Sequence, residues 1–132
     1  MAVLNFDNYQ VKSMSYKRND KFGGQLEEAV LKVTPKRHIS INGDDIQVSL
    51  SVCIGSLSDQ KSPFELNCEI IGHFTYDASS DTEKVGVDTL VKKNAVAILY
   101  PYLRMLISNL TVSTNEFSGY ILPTVNVEKF FS

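Results

Sequence analysis

The sharpest pattern in the chain is a strict alternation from Asp45 to Gly55. Ile46, Val48, Leu50, Val52 and Ile54 point to one side and Gln47, Ser49, Ser51 and Cys53 to the other, which is the period of a half-buried strand. The same period returns from Phe64 to Asp77. There Phe64, Leu66, Cys68, Ile70, Phe74 and Tyr76 share one face, and Glu65, Asn67, Glu69, His73 and Thr75 share the other. The stretch Ser58-Asp59-Gln60-Lys61-Ser62-Pro63 between them is turn chemistry, so the two runs predict an antiparallel hairpin. Upstream, Glu27 to Ile41 is rich in branched residues, and Pro35 within it indicates an edge strand or a bulge. Asn42-Gly43-Asp44-Asp45 is a tight-turn signal into the next strand. Asp7 to Arg18, with Tyr9, Val11, Met14 and Tyr16, predicts a first strand. Lys17 to Gly24 predicts a loop whose one aromatic, Phe22, precedes two glycines.

After Ala78-Ser79-Ser80-Asp81, where Ser80 or Asp81 can cap, the pattern turns helical. A short segment is expected from Thr82 to Leu90, weakened by Gly86, and a main helix from Lys92 to Val112. On that helix Asn94, Ala97, Pro101, Arg104, Ser108 and Thr111 recur at spacings of three and four and form one narrow polar stripe. A proline inside a helix loses a backbone bond and costs about 3 kcal/mol; on the wettest stripe the freed Ala97 carbonyl can turn to water. The rest of the helix is apolar, beyond what one sheet can cover. Leu99, Tyr102, Leu103, Leu106 and Leu110 are therefore expected to meet a second copy of the chain. Asn126 should cap a last short helix that carries Phe130 and Phe131. The reading is one α+β domain over residues 1–132: a four-stranded antiparallel sheet, a long helix and a short C-terminal helix.

Composition changes this picture little. A formal charge of −2 over 132 residues, with no basic stripe, argues against a nucleic-acid partner. The densest basic cluster, Lys36-Arg37-His38, reads as a solvated strand end. The N-terminus has no basic segment followed by an apolar run, and Ala95 to Ile107 is too short for a membrane span, so no membrane insertion and a cytoplasmic address are expected. Strand parity sets Cys68 inward and Cys53 outward, which predicts free thiols. The same parity separates Cys68 from His73, so no metal site is expected. No phosphate loop, nucleophile elbow or acid–base constellation stands out, so neither a cofactor nor an enzymatic activity is expected.

Several runs, in order, resemble the SecB export-chaperone family. Ile98-Leu99-Tyr100-Pro101-Tyr102-Leu103-Arg104 is similar to that family's helix motif N-I-L-F-P-Y-A-R. Leu122-Pro123-Thr124-Val125-Asn126-Val127-Glu128-Lys129-Phe130 is similar to its tail, a proline and then P-V-N-F-D-A-L-F. Leu66-Asn67-Cys68-Glu69-Ile70 resembles its strand motif L-C-E-V, and Lys12-Ser13-Met14-Ser15-Tyr16 its K-D-I-S-F. The resemblance implies the SecB fold, a homotetramer built as a dimer of dimers, and ATP-independent holding of unfolded or preprotein polypeptides in apolar grooves. It assigns the groove to Phe22, Leu26, Leu66, Cys68, Ile70, Phe130 and Phe131. It also implies a docking surface for the translocation ATPase SecA at Ser13, Lys17, Asn67 and Glu69, where this chain departs from the pattern. Ser13 and Lys17 stand where exporting members carry carboxylates, Asn67 replaces a leucine, and the sequence ends at Ser132 without the long polar extension. SecB-like proteins that control toxin–antitoxin pairs belong to the same family. A dedicated chaperone or adaptor for one partner, such as an antitoxin, is thus the alternative to a general holdase.

Overall fold

The structure, a computed structural model, describes residues 3–116, 119–123 and 126–131. Four antiparallel strands form one sheet: β1 (Leu4–Arg18), β2 (Val33–Asn42), β3 (Asp45–Gly55) and β4 (Phe64–Tyr76), in the order β1-β4-β3-β2. A long helix, α1 (Val87–Ser113), follows, and α2 (Val127–Phe130) ends the described chain. This is the expected architecture. Pro35 lies on an edge strand, and Asn126 caps α2 by accepting the Lys129 N–H.

The central strands carry the core because only they have neighbours on both sides. Ile46, Val48, Leu50, Val52 and Ile54 of β3 and Phe64, Leu66, Cys68, Ile70 and Phe74 of β4 are all buried on one face. Full burial of a Leu or Ile contributes about 1.5–3 kcal/mol, so this face dominates the packing energy. The helix covers it through Val91, Ala95, Val96, Leu99, Leu103 and Ile107. β1 has two bulges, one between Phe6 and Asn8 and one between Val11 and Ser13. Each inserted residue re-phases the strand, so Leu4, Phe6, Tyr9, Val11, Met14 and Tyr16 all pair with core-facing residues of β4.

The short segment expected from Thr82 starts only at Val87, and it runs on into the main helix expected from Lys92, so the two form one element. Gly86, at φ 92°, sits immediately before it and cannot be helical in that conformation. Asp81 closes the loop in front: its carboxylate accepts the Val85 and Gly86 N–H groups and the Tyr76 hydroxyl, each at 2.9 Å. Those donors, the Gly86 N–H first, hold the Asp81 carboxyl below its ordinary range. A π-helical turn at Val91–Ala95 interrupts the regular pattern. Counted from Val87, α1 has 27 residues, about 40 Å, long and apolar enough by length and composition to cross a bilayer. The expectation drawn from Ala95 to Ile107 alone underestimates that length. In this fold the apolar residues have a nearer partner, the sheet.

Pro101 is exposed, as are Asn94 and Ala97. The lower half of the polar stripe is not. Thr111 is fully buried and Arg104 and Ser108 are half-buried, because the tail runs over them. Tyr100 Oη donates to the Pro123 carbonyl at 2.6 Å, Arg104 Nε donates to the Leu122 carbonyl at 2.7 Å, and Thr111 Oγ1 accepts the Tyr120 N–H at 2.7 Å. The polar residues on this side of α1 satisfy the backbone of an extended segment that has no strand to pair with. Thr124 and Val125 of the tail motif lie outside the described residues.

Candidate functional site

Three surfaces gather the residues of interest. The first is the crossover loop between β1 and β2, which crosses the end of the sheet beside the β3–β4 loop. Asn19 fastens it. Its side chain is almost wholly buried, donates to the Asp59 and Ser62 carbonyls at 2.9 and 2.7 Å, and accepts the Lys21 N–H at 3.1 Å. Its backbone N–H reaches the Pro63 carbonyl at 3.0 Å. Farther along, the Val30 N–H bonds the Lys61 carbonyl and Ser62 Oγ donates to the Val30 carbonyl. A loop fixed at both ends can hold apolar side chains in water. Leu26 remains 53% exposed, Val30 50% exposed and Phe22 half-buried. Phe22 and Leu26 line a cavity of about 220 Å³ together with Arg18, Asn19, Pro63 and Glu116. The structure therefore brings these two groove candidates together.

The other groove candidates lie elsewhere. Leu66, Cys68 and Ile70 are 0%, 1% and 0% exposed, because alternate residues of a central strand all face α1. They are core residues and present nothing to a polypeptide outside the fold. Burial pushes the Cys68 thiol up to about 11. Phe131 is also buried. It packs edge-on against Tyr100 and Phe130, with ring centroids 6.0 and 5.0 Å away, and so pins α2 to the helix. Phe130 is half-buried in the same cluster.

The second surface is the open side of α1. Leu99 and Leu103, expected at a subunit interface, are fully buried against the chain's own sheet, a consequence of their shared helical face. Tyr102, Leu106 and Leu110 are half-buried. Tyr102 rests on Tyr9 and Phe6 of β1 at 4.6 and 5.6 Å between centroids. Beyond them Met105 and Val112 stand 45% and 52% exposed, and Val11 and Met14 continue the apolar surface onto the helix side of β1. None of these four was singled out from the sequence as exposed. The signal was the surplus of apolar residues; the sheet took a different subset from the one chosen.

The third surface is the outer face of the sheet. Ser13 pairs with Glu69, Lys17 pairs with Glu65, and Asn67 is exposed between them. Ser13, Asn67 and Glu69 share a shallow cavity of about 320 Å³ with Lys36 and Cys53. The Glu69 carboxylate accepts the Ser49 hydroxyl at 2.6 Å and lies 3.8 Å from Lys12 Nζ. The four residues assigned to SecA docking thus do share one face, which carries both signs of charge. Among the described residues no group of three or more His, Cys, Asp or Glu side chains converges on a metal geometry.

No protein-family model matches the chain. A sequence relative does: the uncharacterized protein MJ0357 of Methanocaldococcus jannaschii is 31% identical over 130 residues, 96% of this chain and 81% of the relative. The chain belongs to the MJ0357 family. In architecture it is similar to the Rv1957 SecB-like chaperone of Mycobacterium tuberculosis, solved in complex with a ChAD peptide from the Rv1956 HigA1 antitoxin. The likeness has a TM-score of 0.70, 12% sequence identity, and covers 92% of this chain and 90% of the other. The fold is therefore SecB-like, as the sequence resemblance implied.

Proposed function

We propose that this member of the MJ0357 family is a SecB-like chaperone that holds unfolded polypeptide segments without ATP. The observation that carries the reading is the crossover loop. Leu26 and Val30 are held in solvent, with Phe22 beside them, on a backbone that Asn19 and Ser62 anchor to the neighbouring hairpin. Exposed apolar side chains on a fixed frame cost solubility unless something binds them. Apolar contact with little directional bonding suits clients of many sequences. The SecB-like fold supports the same conclusion.

A dedicated client is the second reading, and one observation favours it: the similar fold of Rv1957 was solved holding a peptide from an antitoxin. The test is aggregation suppression. A chemically unfolded, unrelated protein is diluted into buffer without ATP, and light scattering is followed with and without the chain. Suppression near one oligomer per client is expected for a general holdase. No suppression of several unrelated clients, with capture of one partner encoded beside this chain, would establish the dedicated form. In either case Phe22→Ser should weaken client binding about tenfold, the effect of removing one buried aromatic contact. Unchanged binding would take the loop out of the site. We further propose that the open side of α1 joins copies of the chain into the tetramer that SecB-like proteins form. We do not extend the reading to SecA docking, since Lys17 brings a cation to the outer face where exporting members carry a carboxylate.

A further inference from the structure

The described residues hold two cysteines and two methionines, and the structure treats the two pairs in opposite ways. Cys68 is buried in the core. Cys53 is half-buried; desolvation, and then the charge of Glu65, push its thiol above the ordinary range, and Lys36 only partly offsets them. Oxidants attack the thiolate rather than the thiol, so neither cysteine is poised for them. A thioether has no proton to lose before it reacts, and only access limits it. Met14 is 44% exposed and Met105 45% exposed. The third methionine, Met1, lies outside the described residues.

Both accessible sulfurs stand on the same open surface. Met14 pairs with Cys68, a core-facing residue of β4, so its side chain points to the helix side of the edge strand β1. Met105 is two positions from both Leu103 and Ile107, which are buried against the sheet. At about 100° per residue, that spacing turns Met105 to the opposite side of α1. Val11 and Val112, exposed beside them, make the rest of the surface aliphatic and inert to oxidants. Among the described residues no methionine lies in the core; both lie on the face left open.

We propose that Met14 and Met105 form a reversible oxidation site, through which a peroxide takes the chain out of its self-assembly. The inference rests on the assembly through the open side of α1 proposed above. A lone pair on the thioether sulfur attacks one oxygen of hydrogen peroxide. The S–O bond forms, the O–O bond breaks, and the second oxygen leaves as water with both hydrogens. Sulfur is oxidised by two electrons and the peroxide is reduced by two. The sulfoxide is polar where the thioether was apolar. On a separate chain it is solvated and leaves the fold unchanged; pressed between copies it is a polar group without a partner. Assembly covers both sulfurs, so peroxide reacts with the dissociated chain. A modification confined to that state draws the equilibrium toward it. A sulfoxide reductase with a dithiol reverses the step, giving the thioether, a disulfide and water.

The test treats the full chain with hydrogen peroxide and quenches with catalase. Peptide mass spectrometry locates the added oxygen, and sedimentation velocity reads the mass of the particle. One oxygen is expected on each of Met14 and Met105, added faster in dilute than in concentrated protein, with circular dichroism unchanged. The dissociation constant of the oligomer should rise about tenfold for each sulfoxide. Met14→Leu with Met105→Leu keeps volume and apolar character, so it should assemble like the native chain and hold its mass in peroxide. Sulfoxide reductase with dithiothreitol should return the oxidised native chain to its starting mass. Three results overturn the proposal: both sulfoxides without a change of mass, the same dissociation in the double leucine variant, or oxidation of the cysteines ahead of these methionines. If Met105→Glu is a monomer while the doubly oxidised chain is not, this inference alone fails. A native chain that is already a monomer overturns the assembly itself, and this inference with it.

Discussion

Cys53 and Cys68 lie on adjacent strands and opposite faces, and their environments separate their chemistry. Cys68 is buried, and burial alone lifts its thiol from 9.0 to about 11. The folded state therefore holds this proton more tightly than the unfolded chain. The resulting stability is fully present below about pH 9 and drains as pH rises to about 11, by about 3 kcal/mol for a shift of this size. Urea midpoints measured across that window should fall in the native chain, and Cys68→Ala should remove this part of the slope. A thiol reagent should label Cys53 in the folded protein and Cys68 only after unfolding. Asn19 is the residue on which the crossover loop depends. Asn19→Ala leaves the buried Ser62 carbonyl short of its donor, for a cost of about 2–3 kcal/mol. The measurable companion is faster proteolysis between Asn19 and Lys32; equal cleavage in both chains would show that the loop is held by other contacts.

Among the elements, β3 and β4 were the most legible because each buries one clean face under a helix, and such faces alternate without exception. β1 was harder. Its apolar positions Leu4, Phe6, Tyr9, Val11, Met14 and Tyr16 follow neither period two nor a helical period, since two bulges shift the phase twice. The helix was legible as a helix but not in its contacts. A near-continuous apolar surface does not say which third meets the sheet, so Leu99 and Leu103 were assigned outward when they are core. The loop site was legible only at Phe22 and Leu26, whose surroundings are polar. Gly72 records how close the helix comes: a Cβ there would lie 2.5 Å from Leu99 Cδ2 and 2.7 Å from Cδ1. Leu99 is fully buried and has little room to move, so Gly72→Ala should cost about 1–3 kcal/mol by overpacking. Gly55→Ala should cost more. Its φ is +76°, and the added Cβ would meet backbone, the Phe64 carbonyl, rather than a side chain that can turn. Thermal midpoints of the two variants give the order directly; a larger loss at Gly72 would mean the β3–β4 loop yields more easily than the core.

At the scale of the whole molecule the decisive feature is where apolar surface is left over. The sheet covers one side of α1 and the tail, bonded to Tyr100, Arg104 and Thr111, covers a second. The third side keeps Ile98, Tyr102, Met105 and Val112, and β1 adds Val11 and Met14 on the same face of the sheet. This surface differs in kind from the crossover loop: it lies on a rigid helix and an edge strand, and packing between two such faces favours one fixed partner, which we propose is another copy of the chain. A client surface and an assembly surface should then respond to different mutations. Met105→Glu sets a carboxylate in the middle of the apolar face, where burial without a partner is heavily penalised, and should raise the dissociation constant of the oligomer at least about a hundredfold. On that proposal sedimentation velocity should show an oligomer in the native chain and a monomer in Met105→Glu, while Phe22→Ser keeps the native mass and loses client binding. A native chain that is already a monomer would overturn the assembly. If Met105→Glu instead keeps its mass and loses aggregation suppression, the open side of α1 is itself a client surface and not the assembly surface.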